Sequence, residues 1–333
     1  MDRFGLSIGV SPREPLRRVG ELAELIEARG FEALWVIDFQ VGMKDVYAAM
    51  LLAALHTSKM LIGPGVTNLS TRHATVTANA ITALDEVSDG RALLGLGAGW
   101  SAVLAAGGRP AKLAEIKEGL LQLRGLFAGE SVSVGERQVR LATARRQIPV
   151  YLAAAQPGML RLAGETADGV ILMGAAEPEF CEWQLGFIRE GLERAGRHRS
   201  DLVIDLQVTM SIDVDTEHAL ADVRAWATSQ AATFVDWKQV PPSYERFRPE
   251  FEKAARSYHL VEHLSLHAEH KESVSDEFTR MVAVAGDEGH CLERLRALAD
   301  LDVDRITFAL LSGGRERRLA EMAERVLPAL QRA

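Results

Sequence analysis

Residues 149–174, PVYLAAAQPGMLRLAGETADGVILMG, contain two short apolar runs separated by a segment of helical character. The runs VYLAAA and GVILMG are apolar without alternation, which indicates strands buried on both faces, as in a parallel sheet. Pro157 follows the first run and suits the opening turn of a helix, where its missing N–H has no helical partner to lose. The stretch therefore predicts a strand–helix–strand unit of a parallel sheet.

The same alternation of short apolar runs and longer segments of helical periodicity extends over most of the chain. PLRRVGELAELIEARG is one such helical segment, with a proline near its start and a glycine at its end. The candidate strands are Phe4–Val10, Ala33–Ile37, Met60–Gly65, Ala92–Gly97, Val150–Ala154, Gly169–Met173, Leu202–Ile212 and Arg305–Leu310. Because about eight strands close a parallel barrel, we predict an α/β protein with a (β/α)8 TIM barrel. An open, doubly wound sheet is the alternative.

Two stretches interrupt this alternation. SVSVGERQVRLATARRQIP alternates polar and apolar residues about Gly135, which predicts a small hairpin on the rim of the barrel. The second stretch, from about 228 to 280, is far longer than an ordinary βα connection. It is rich in aromatic residues: Phe234, Trp237, Tyr244, Phe247, Phe251, Tyr258 and Phe278. We expect a mostly helical insertion over one end of a single domain that spans 1–333, with these aromatics packing its core rather than lining a substrate box.

Composition excludes several classes of protein. The net charge is -8 at pH 7, and acidic and basic residues are interspersed, so the chain presents no single-sign field to nucleic acid or to an anionic membrane. Cys181 and Cys291 are the only cysteines, too few for a disulfide framework. The chain shows neither a secretory leader nor the roughly 18 consecutive apolar residues of a membrane span. We expect a soluble protein of the reducing cytoplasm.

Function in a parallel barrel collects on the loops that follow the carboxyl ends of the strands. One such loop, GLGAGWS at 95–101, is rich in glycine, so its backbone N–H groups can approach a phosphate without interference from Cβ atoms. Its spacing is not that of a GxGxxG dinucleotide fingerprint, which disfavours a Rossmann nicotinamide site. A tight turn without a ligand is the alternative interpretation of these glycines.

An unusual strand end occurs at LIGPGVTNLSTRH, residues 61–73, where an apolar run breaks into Gly-Pro-Gly and then turns polar. The motifs VIDFQ, GPGVTNLSTRHATVTANAITALDEVSDGRALLGLGAGWS and PVYLAAAQPGMLRLAGETADGVILMG occur in this order along the chain. Together they resemble the bacterial luciferase-like flavin and deazaflavin oxidoreductases. Within these, the chain is most similar to the methylenetetrahydromethanopterin reductase-like branch.

The resemblance implies a role for the Gly-Pro-Gly strand end. In this family the third strand ends in a bulge with a non-prolyl cis peptide bond that presses against one face of the flavin or deazaflavin ring. The corresponding bond here is Gly65–Val66, followed by Thr67 in the same cofactor-binding loop. Asp38 and Asn68 correspond to positions that line the ring and hydrogen-bond its polar edge.

The remaining cofactor-binding positions also follow from the resemblance. Gly97, Ala98 and Gly99 correspond to the loop that receives the phosphate side of the cofactor. Ala155 and Gln156 precede a helix whose N–H groups assist there. Gly174 corresponds to a wall residue. No metal site is expected.

The chain departs from its family at two places. Phe39 stands where many relatives carry a histidine, and Ser7 stands where the methanopterin reductases carry a glutamate, so the proton donor must come from elsewhere. SYHLVEHLSLHAEH places His259, His263 and His267 at steps of four, on one helix face. We predict Asp38, His263 and His267 as catalytic candidates; a zinc site and an ordinary packing or solvated face are the alternatives for the histidines.

Three functions are consistent with these observations. The first is an oxidoreductase that passes a hydride between a deazaflavin of the coenzyme F420 type and a small organic substrate. The second is an FMN-dependent monooxygenase supplied with reduced flavin by a separate flavin or deazaflavin reductase. The third is a barrel that binds a flavin without turnover. The family resemblance also implies a homodimer.

Overall fold

The computed structural model describes residues 3–259, 269–310 and 315–331. The strands are β1 (Phe4–Ile8), β2 (Ala33–Val36), β3 (Leu61–Pro64), β4 (Leu94–Leu96), β5 (Val132–Val134), β6 (Arg137–Val139), β7 (Val150–Ala154), β8 (Gly169–Leu172), β9 (Val203–Ile212), β10 (Val284–Gly286) and β11 (Arg305–Leu310). The α-helices are α1 (Arg18–Ala28), α2 (Val46–His56), α3 (Ala74–Val87), α4 (Ser101–Ala105), α5 (Leu113–Phe127), α6 (Pro157–Thr166), α7 (Pro178–Arg194), α8 (Thr216–Phe234), α9 (Arg248–Ser257), α10 (Asp276–Val282), α11 (Glu288–Ala299), α12 (Arg315–Glu321) and α13 (Leu327–Gln331).

Eight parallel strands form a closed barrel. They are ordered β3-β2-β1-β11-β9-β8-β7-β4, and every pairing along this path is parallel. Single bridges from Ile62 to Ala92 and from Thr67 to Leu96 join the two ends of the path. This closure confirms the predicted (β/α)8 barrel and excludes the open, doubly wound sheet.

The barrel strands are buried on both faces. Their outward side chains pack with the surrounding helices in the main hydrophobic core. Their inward side chains include an apolar group of Trp35, Leu93, Tyr151 and Ile171. Because each strand faces two packed layers, its sequence reads as an uninterrupted apolar run, which is why the strands were predictable from the sequence.

The elements outside the barrel were predicted less completely. The hairpin about Gly135 is confirmed as the antiparallel pair β5–β6. Strand β10 was not predicted; it pairs in parallel with the far end of β9, at Met210–Ile212, outside the barrel path. Three residues are too few to show any periodicity, so the sequence carried no signal for this strand.

The segment predicted as a helical insertion, 228–280, contains the end of α8 together with α9 and α10 among the described residues. Helix α8 begins at Thr216, before the predicted boundary. Six of the seven aromatic side chains of this segment are buried in one cluster, as expected: Phe234, Trp237, Tyr244, Phe247, Phe251 and Phe278. The cluster also contains Ala175 and Phe180, which follow β8. The aromatics therefore join the segment to that side of the barrel.

Two further features concern membrane insertion and the reactivity of the cysteines. Over the described part of the chain, no helix combines the length and apolar character required to cross a bilayer. Cys181 and Cys291 are both buried and unbonded to each other, and burial raises the pKa of each thiol to about 12. Neither cysteine is therefore a reactive thiolate at neutral pH.

Candidate active site

The carboxylate of Asp38 is buried just beyond β2, with 2% of its side chain exposed. The Thr67 hydroxyl donates to Oδ2 at 2.7 Å, and the Arg72 guanidinium reaches Oδ2 at 3.1 Å through Nε and Oδ1 at 3.2 Å through Nη2. These bonds hold Asp38 in place from the end of β3 and from the loop that follows it. Charge-assisted, bidentate hydrogen bonds of this kind fix the orientation of the carboxylate and also stabilise its position.

Arg72 is held in turn by its own surroundings. It lies over the ring of Tyr47, with 4.7 Å from Cζ to the ring centroid, and it also approaches Asp45. Burial acts to lower the pKa of Arg72, but the hydrogen bond and charge of Asp38 outweigh that effect and raise it. Arg72 is therefore a permanent cation beside Asp38, and the sequence analysis did not single it out, although the residue lies within the STRH part of the family-like stretch.

The peptide bond Gly65–Val66 is cis, as the family resemblance predicts. The backbone on both sides of it is tied to neighbouring strands: Gly65 N donates to Val36 O at 2.8 Å, and Thr67 N donates to Gly95 O at 3.0 Å. A Cβ atom on Gly65 would lie 2.6 Å from Cβ of Trp35, so only glycine fits at this position. The residues that flank the cis bond are thus fixed by β2 and β4.

Two glycines of β4 and its loop make room for Val66. A Cβ atom on Gly97 would lie 2.8 Å from Cγ2 of Val66, and one on Gly95 would lie 2.1 Å from the carbonyl oxygen of Pro64. Gly97 N donates to Thr67 O at 2.9 Å, and the Ala98 carbonyl accepts from Ala111 N at 2.8 Å. The glycine loop therefore lies directly against the cis peptide, and these two predicted site segments come together.

Asn68 and Gly99 form the next contact between the same two loops. The side-chain oxygen of Asn68 accepts from Ser70 N at 3.1 Å and from Thr71 N at 2.8 Å, which closes a tight turn. Gly99 has φ +72, and a Cβ atom there would meet the Asn68 side chain at 3.1 Å. The amide NH2 of Asn68 is the part of this side chain left to bind a ligand.

The ends of β7 and β8 are joined by a side chain that the sequence analysis missed. Gln184, on α7, is fully buried, and its Nε2 donates to Ala155 O at 3.0 Å and to Met173 O at 2.7 Å. Gln156 is the residue before α6, and its side chain does not cap the helix, so the N–H groups of the first turn after Pro157 are not used by Gln156. Gly174 has φ +131, and a Cβ atom there would lie 2.8 Å from the Phe180 ring.

The histidine-rich segment lies only partly among the residues that the structure describes. His263 and His267 lie outside the described residues, so their catalytic roles stay predictions. Just before them, Tyr258 contacts Trp100, with ring centroids 5.2 Å apart. Trp100 directly follows Gly99, so the chain approaches the glycine loop at this point. Among the described residues, no group of three or more His, Cys, Asp or Glu side chains could hold a metal ion.

A charged network fills the barrel interior below the site. Asp205 accepts from Nε1 of Trp35 at 2.9 Å, from the Thr307 hydroxyl at 2.6 Å and from Nη1 of Arg305 at 3.1 Å. Arg305 also donates to Glu32 at 2.9 Å. Burial acts to lower the pKa of Arg305, but the charge of Asp205, the presence of Tyr151 and the charge of Glu32 raise it. The network fixes Trp35, the side chain against which Gly65 packs.

Comparison with known proteins gives consistent results. The chain is 36% identical to the 5,10-methylenetetrahydromethanopterin reductase of Methanolobus tindarius over 62% of this chain and 65% of that protein. It is 27% identical to the enzyme of the same name from Methanopyrus kandleri (strain AV19), over 98% of this chain and 99% of that protein. It is 26% identical to an F420-dependent glucose-6-phosphate dehydrogenase of Nakamurella multipartita, over 99% of this chain and 96% of that protein.

Solved structures show the same fold. The coenzyme F420-dependent tetrahydromethanopterin reductase of Methanopyrus kandleri superposes with a TM-score of 0.78 at 24% identity, over 98% of this chain and 99% of that one. An F420-dependent secondary alcohol dehydrogenase superposes with a TM-score of 0.77 at 17% identity, over the same shares. The family model described as luciferase-like monooxygenase matches residues 2–305. The chain therefore belongs to the luciferase-like monooxygenase family, in agreement with the resemblance in its motifs.

Proposed function

We propose that this protein is an oxidoreductase that transfers a hydride between a deazaflavin of the coenzyme F420 type and a small organic substrate. The observation that carries the proposal is the close packing of Val66 against Gly95 and Gly97, which brings the ends of β3 and β4 together. Curated relatives that align over nearly the whole chain are named for methylenetetrahydromethanopterin reduction and F420-dependent dehydrogenation. A reduced deazaflavin supplies a hydride from a ring carbon; the protein supplies binding, orientation and electrostatics.

The site residues fit such a group. The absence of side chains at Gly65, Gly95 and Gly97 lets the two adjoining loops pack closely together, because Trp35, Pro64 and Val66 occupy the space that Cβ atoms would take. In this proposal Gly65, Val66 and Thr67 support one face of the ring, while Asp38 and the amide of Asn68 lie at its polar edge. Arg72 keeps the Asp38 carboxylate oriented there.

The phosphate side of the cofactor would be held by backbone groups. Gly97, Ala98 and Gly99 form one part of this cradle, and Ala155 and Gln156 bring the N-terminus of α6 to the other part. Free N–H groups and the helix dipole favour an anion at such a position. Gly174 would form a wall of the site, and Gln184 holds the carbonyl of the preceding residue, Met173.

The proton that accompanies hydride transfer needs a separate donor or acceptor. Phe39 cannot serve, and Asp38 is engaged by Thr67 and Arg72. We propose His263 or His267 for this role, because the chain enters their segment beside Trp100, next to the glycine loop. An imidazole is suited to exchanging protons near neutral pH.

The proposal is tested by anaerobic titration with coenzyme F420 and with FMN, each oxidised and reduced, followed by fluorescence and absorbance. Gly97→Val should lower the affinity for the preferred cofactor by at least about tenfold, because the new side chain collides with Val66. Gly186→Ala is the matched control, since a Cβ atom there meets nothing within 4 Å. Failure of the wild-type protein to bind coenzyme F420 contradicts the proposal.

The alternative is an FMN-dependent monooxygenase, which the name of the matching family model favours. Selective binding of reduced FMN in the same titration, with consumption of oxygen, would identify it, and a separate reductase would then be needed as a partner. Binding of a cofactor without turnover of any substrate would instead identify a non-catalytic barrel.

We also propose a homodimer located in the cytoplasm and a single domain in which 228–280 lies over the active-site end. Exposed aliphatic side chains on the adjacent helices α2 and α3 support the dimer: Leu55, Val76 and Val87. Two buried, unbonded cysteines agree with a reducing compartment. Contacts of the aromatic cluster with Phe180 support the position of the 228–280 segment.

A further inference from the structure

Two hydroxyl groups inside the barrel make no hydrogen bond with any of the residues that the structure describes. They belong to Ser7 on β1, which is fully buried, and Thr209 on β9, which is 4% exposed. Buried polar side chains in native proteins nearly always have a partner, so two unpaired hydroxyls in the same region point to a ligand. The proposed roles of the other site residues do not use either group.

Both side chains point into the barrel. Side chains alternate between the two faces of a strand, so residues two or four apart lie on the same face. A Cβ atom on Gly5 would meet the Thr307 hydroxyl at 2.3 Å, which places Gly5, and therefore Ser7, on the inner face of β1. Thr209 comes four residues after Asp205, whose carboxylate lies inside the barrel with Thr307.

The two hydroxyls lie at the same height on β1 and β9, the two strands that flank β11. Ser7 pairs with Ala309 of β11, and Ala309 pairs with Thr209. With Ala309 between them, the two Cα atoms are separated by two strand spacings, about 10 Å. Ser7 and Ala309 are each the last but one residue of their strands, so this level is close to the carboxyl ends, where the proposed cofactor site lies.

The level below contains buried charged groups that pair with one another. The carboxylate of Asp205 binds Thr307, Arg305 and Trp35, so the buried charges are paired with one another. Gln207, which lies between Asp205 and Thr209 on the same face of β9, is partly exposed, whereas the hydroxyls of Ser7 and Thr209 are buried and bind no described protein group. These two hydroxyls are therefore available to a bound molecule. On either side of Ala309, they form an uncharged polar patch on the inner wall of the barrel.

We propose that the hydroxyls of Ser7 and Thr209 bind the neutral oxygen of a carbonyl or alcohol substrate. A hydroxyl both donates and accepts, so it can serve the ketone and the alcohol form of one substrate equally. None of the strand residues paired at this level, Trp35, Ser7, Ala309 and Thr209, carries a charge, so a carboxylate or phosphate there would be a buried charge without a partner among them, which is strongly disfavoured. This inference rests on the proposed function, and it names the substrate class of the same site.

The test compares Ser7→Ala and Thr209→Val with a matched control, Thr77→Val. Thr77 lies on α3, outside the barrel strands, and its side chain is buried to a similar degree. Cyclohexanol and cyclohexanecarboxylate serve as probes of similar shape and different charge. Their binding to the deazaflavin-loaded protein is measured by saturation-transfer NMR, and the melting temperature of each unliganded variant is measured in parallel.

We expect the wild-type protein and Thr77→Val to bind cyclohexanol in preference to the carboxylate. Ser7→Ala and Thr209→Val should each weaken cyclohexanol binding by about tenfold, the effect of one lost hydrogen bond. The melting temperatures of the unliganded variants should not fall, because neither hydroxyl has a protein partner to lose.

The inference is overturned if both variants bind cyclohexanol as tightly as the wild-type protein does. It is also overturned if the wild-type protein prefers the carboxylate or does not bind cyclohexanol. Lower melting temperatures in both variants would show that the hydroxyls have a structural role, which also contradicts the inference. Fluorescence titration of the same samples with coenzyme F420 tests the proposed function separately. If the deazaflavin does not bind but the two variants still lose affinity for cyclohexanol in the unliganded protein, the cofactor assignment fails and the hydroxyl subsite stands.

Discussion

Asp205 shows how one residue inside the barrel supports the backbone of the site. Its side chain and that of Arg305 are both 0% exposed, and the carboxylate also fixes the indole of Trp35. The Trp35 side chain occupies the space left by Gly63 and Gly65, so the position of the cis peptide depends on this contact. A buried charge of this kind is tolerated only because its partners are complete.

We expect Asp205→Asn to lower the free energy of unfolding by about 3 kcal/mol, because it leaves the buried Arg305 guanidinium with only the partly exposed carboxylate of Glu32 as a counter-charge. Urea denaturation followed by circular dichroism measures the change. The control is Asp302→Asn, which removes a half-exposed partner of Arg199 and should cost at most about 1 kcal/mol. Equal effects of the two substitutions would contradict this account of the network.

At the scale of an element, β3 is held at both ends. The cis peptide and the β4 loop fix its carboxyl end, whereas Glu27 of α1 fixes its entry. The Glu27 carboxylate accepts from the backbone N–H groups of Ser58 at 3.0 Å, Lys59 at 2.7 Å and Met60 at 2.7 Å. Partial burial acts to raise the pKa of Glu27, but these hydrogen bonds outweigh it and lower the pKa below 4.5.

A lowered pKa means that the folded protein favours the ionised carboxylate, so this contribution to stability is complete above pH 4.5 and disappears as the pH falls through the folded-state value. We expect Glu27→Gln to destabilise the protein by about 1 kcal/mol at neutral pH, and the difference from wild type to shrink near pH 3. Denaturant unfolding across this pH range measures it. Glu24→Gln, which alters an exposed carboxylate of the same helix, is the control; a pH-independent difference for Glu27→Gln would refute the prediction.

At the scale of the whole molecule, the proposed dimer can be tested by measuring the mass of the protein in solution. The side chain of Leu55 on α2 is 70% exposed, and Val76 and Val87 on the adjacent α3 are 57% and 42% exposed. Burial of such groups between two copies would be favourable. Sedimentation should therefore give twice the 36.4 kDa mass of one chain.

We expect Leu55→Asp to shift the population to monomers, because it places a charge in the proposed interface. Val214→Asp is the matched control, since Val214 is 97% exposed and lies outside α2 and α3. A monomeric wild-type protein, or equal effects of the two variants, would show that this face is not the interface.

Much of this molecule could be predicted from the sequence, and the misses share physical causes. The barrel strands were visible because burial on both faces makes each an uninterrupted apolar run, and the cis peptide was visible because GPGVTN closely follows the family pattern. Arg72 and Gln184 were not, because their importance arises from contacts with residues distant in the chain. Thr209 was not, because its position level with Ser7 depends on the register of β1, β11 and β9. Strand β10 was too short to carry a pattern.

The sequence by itself determined the strand–helix order, the family and the loops that carry the proposed cofactor site, since these depend on local composition and on motifs. The tertiary structure alone decided that the sheet closes, that Asp38 is held by Arg72, that Asp205 fixes Trp35, and that the hydroxyls of Ser7 and Thr209 lie level and unpaired. Closure sets the register between distant strands, and register decides which side chains meet inside the barrel.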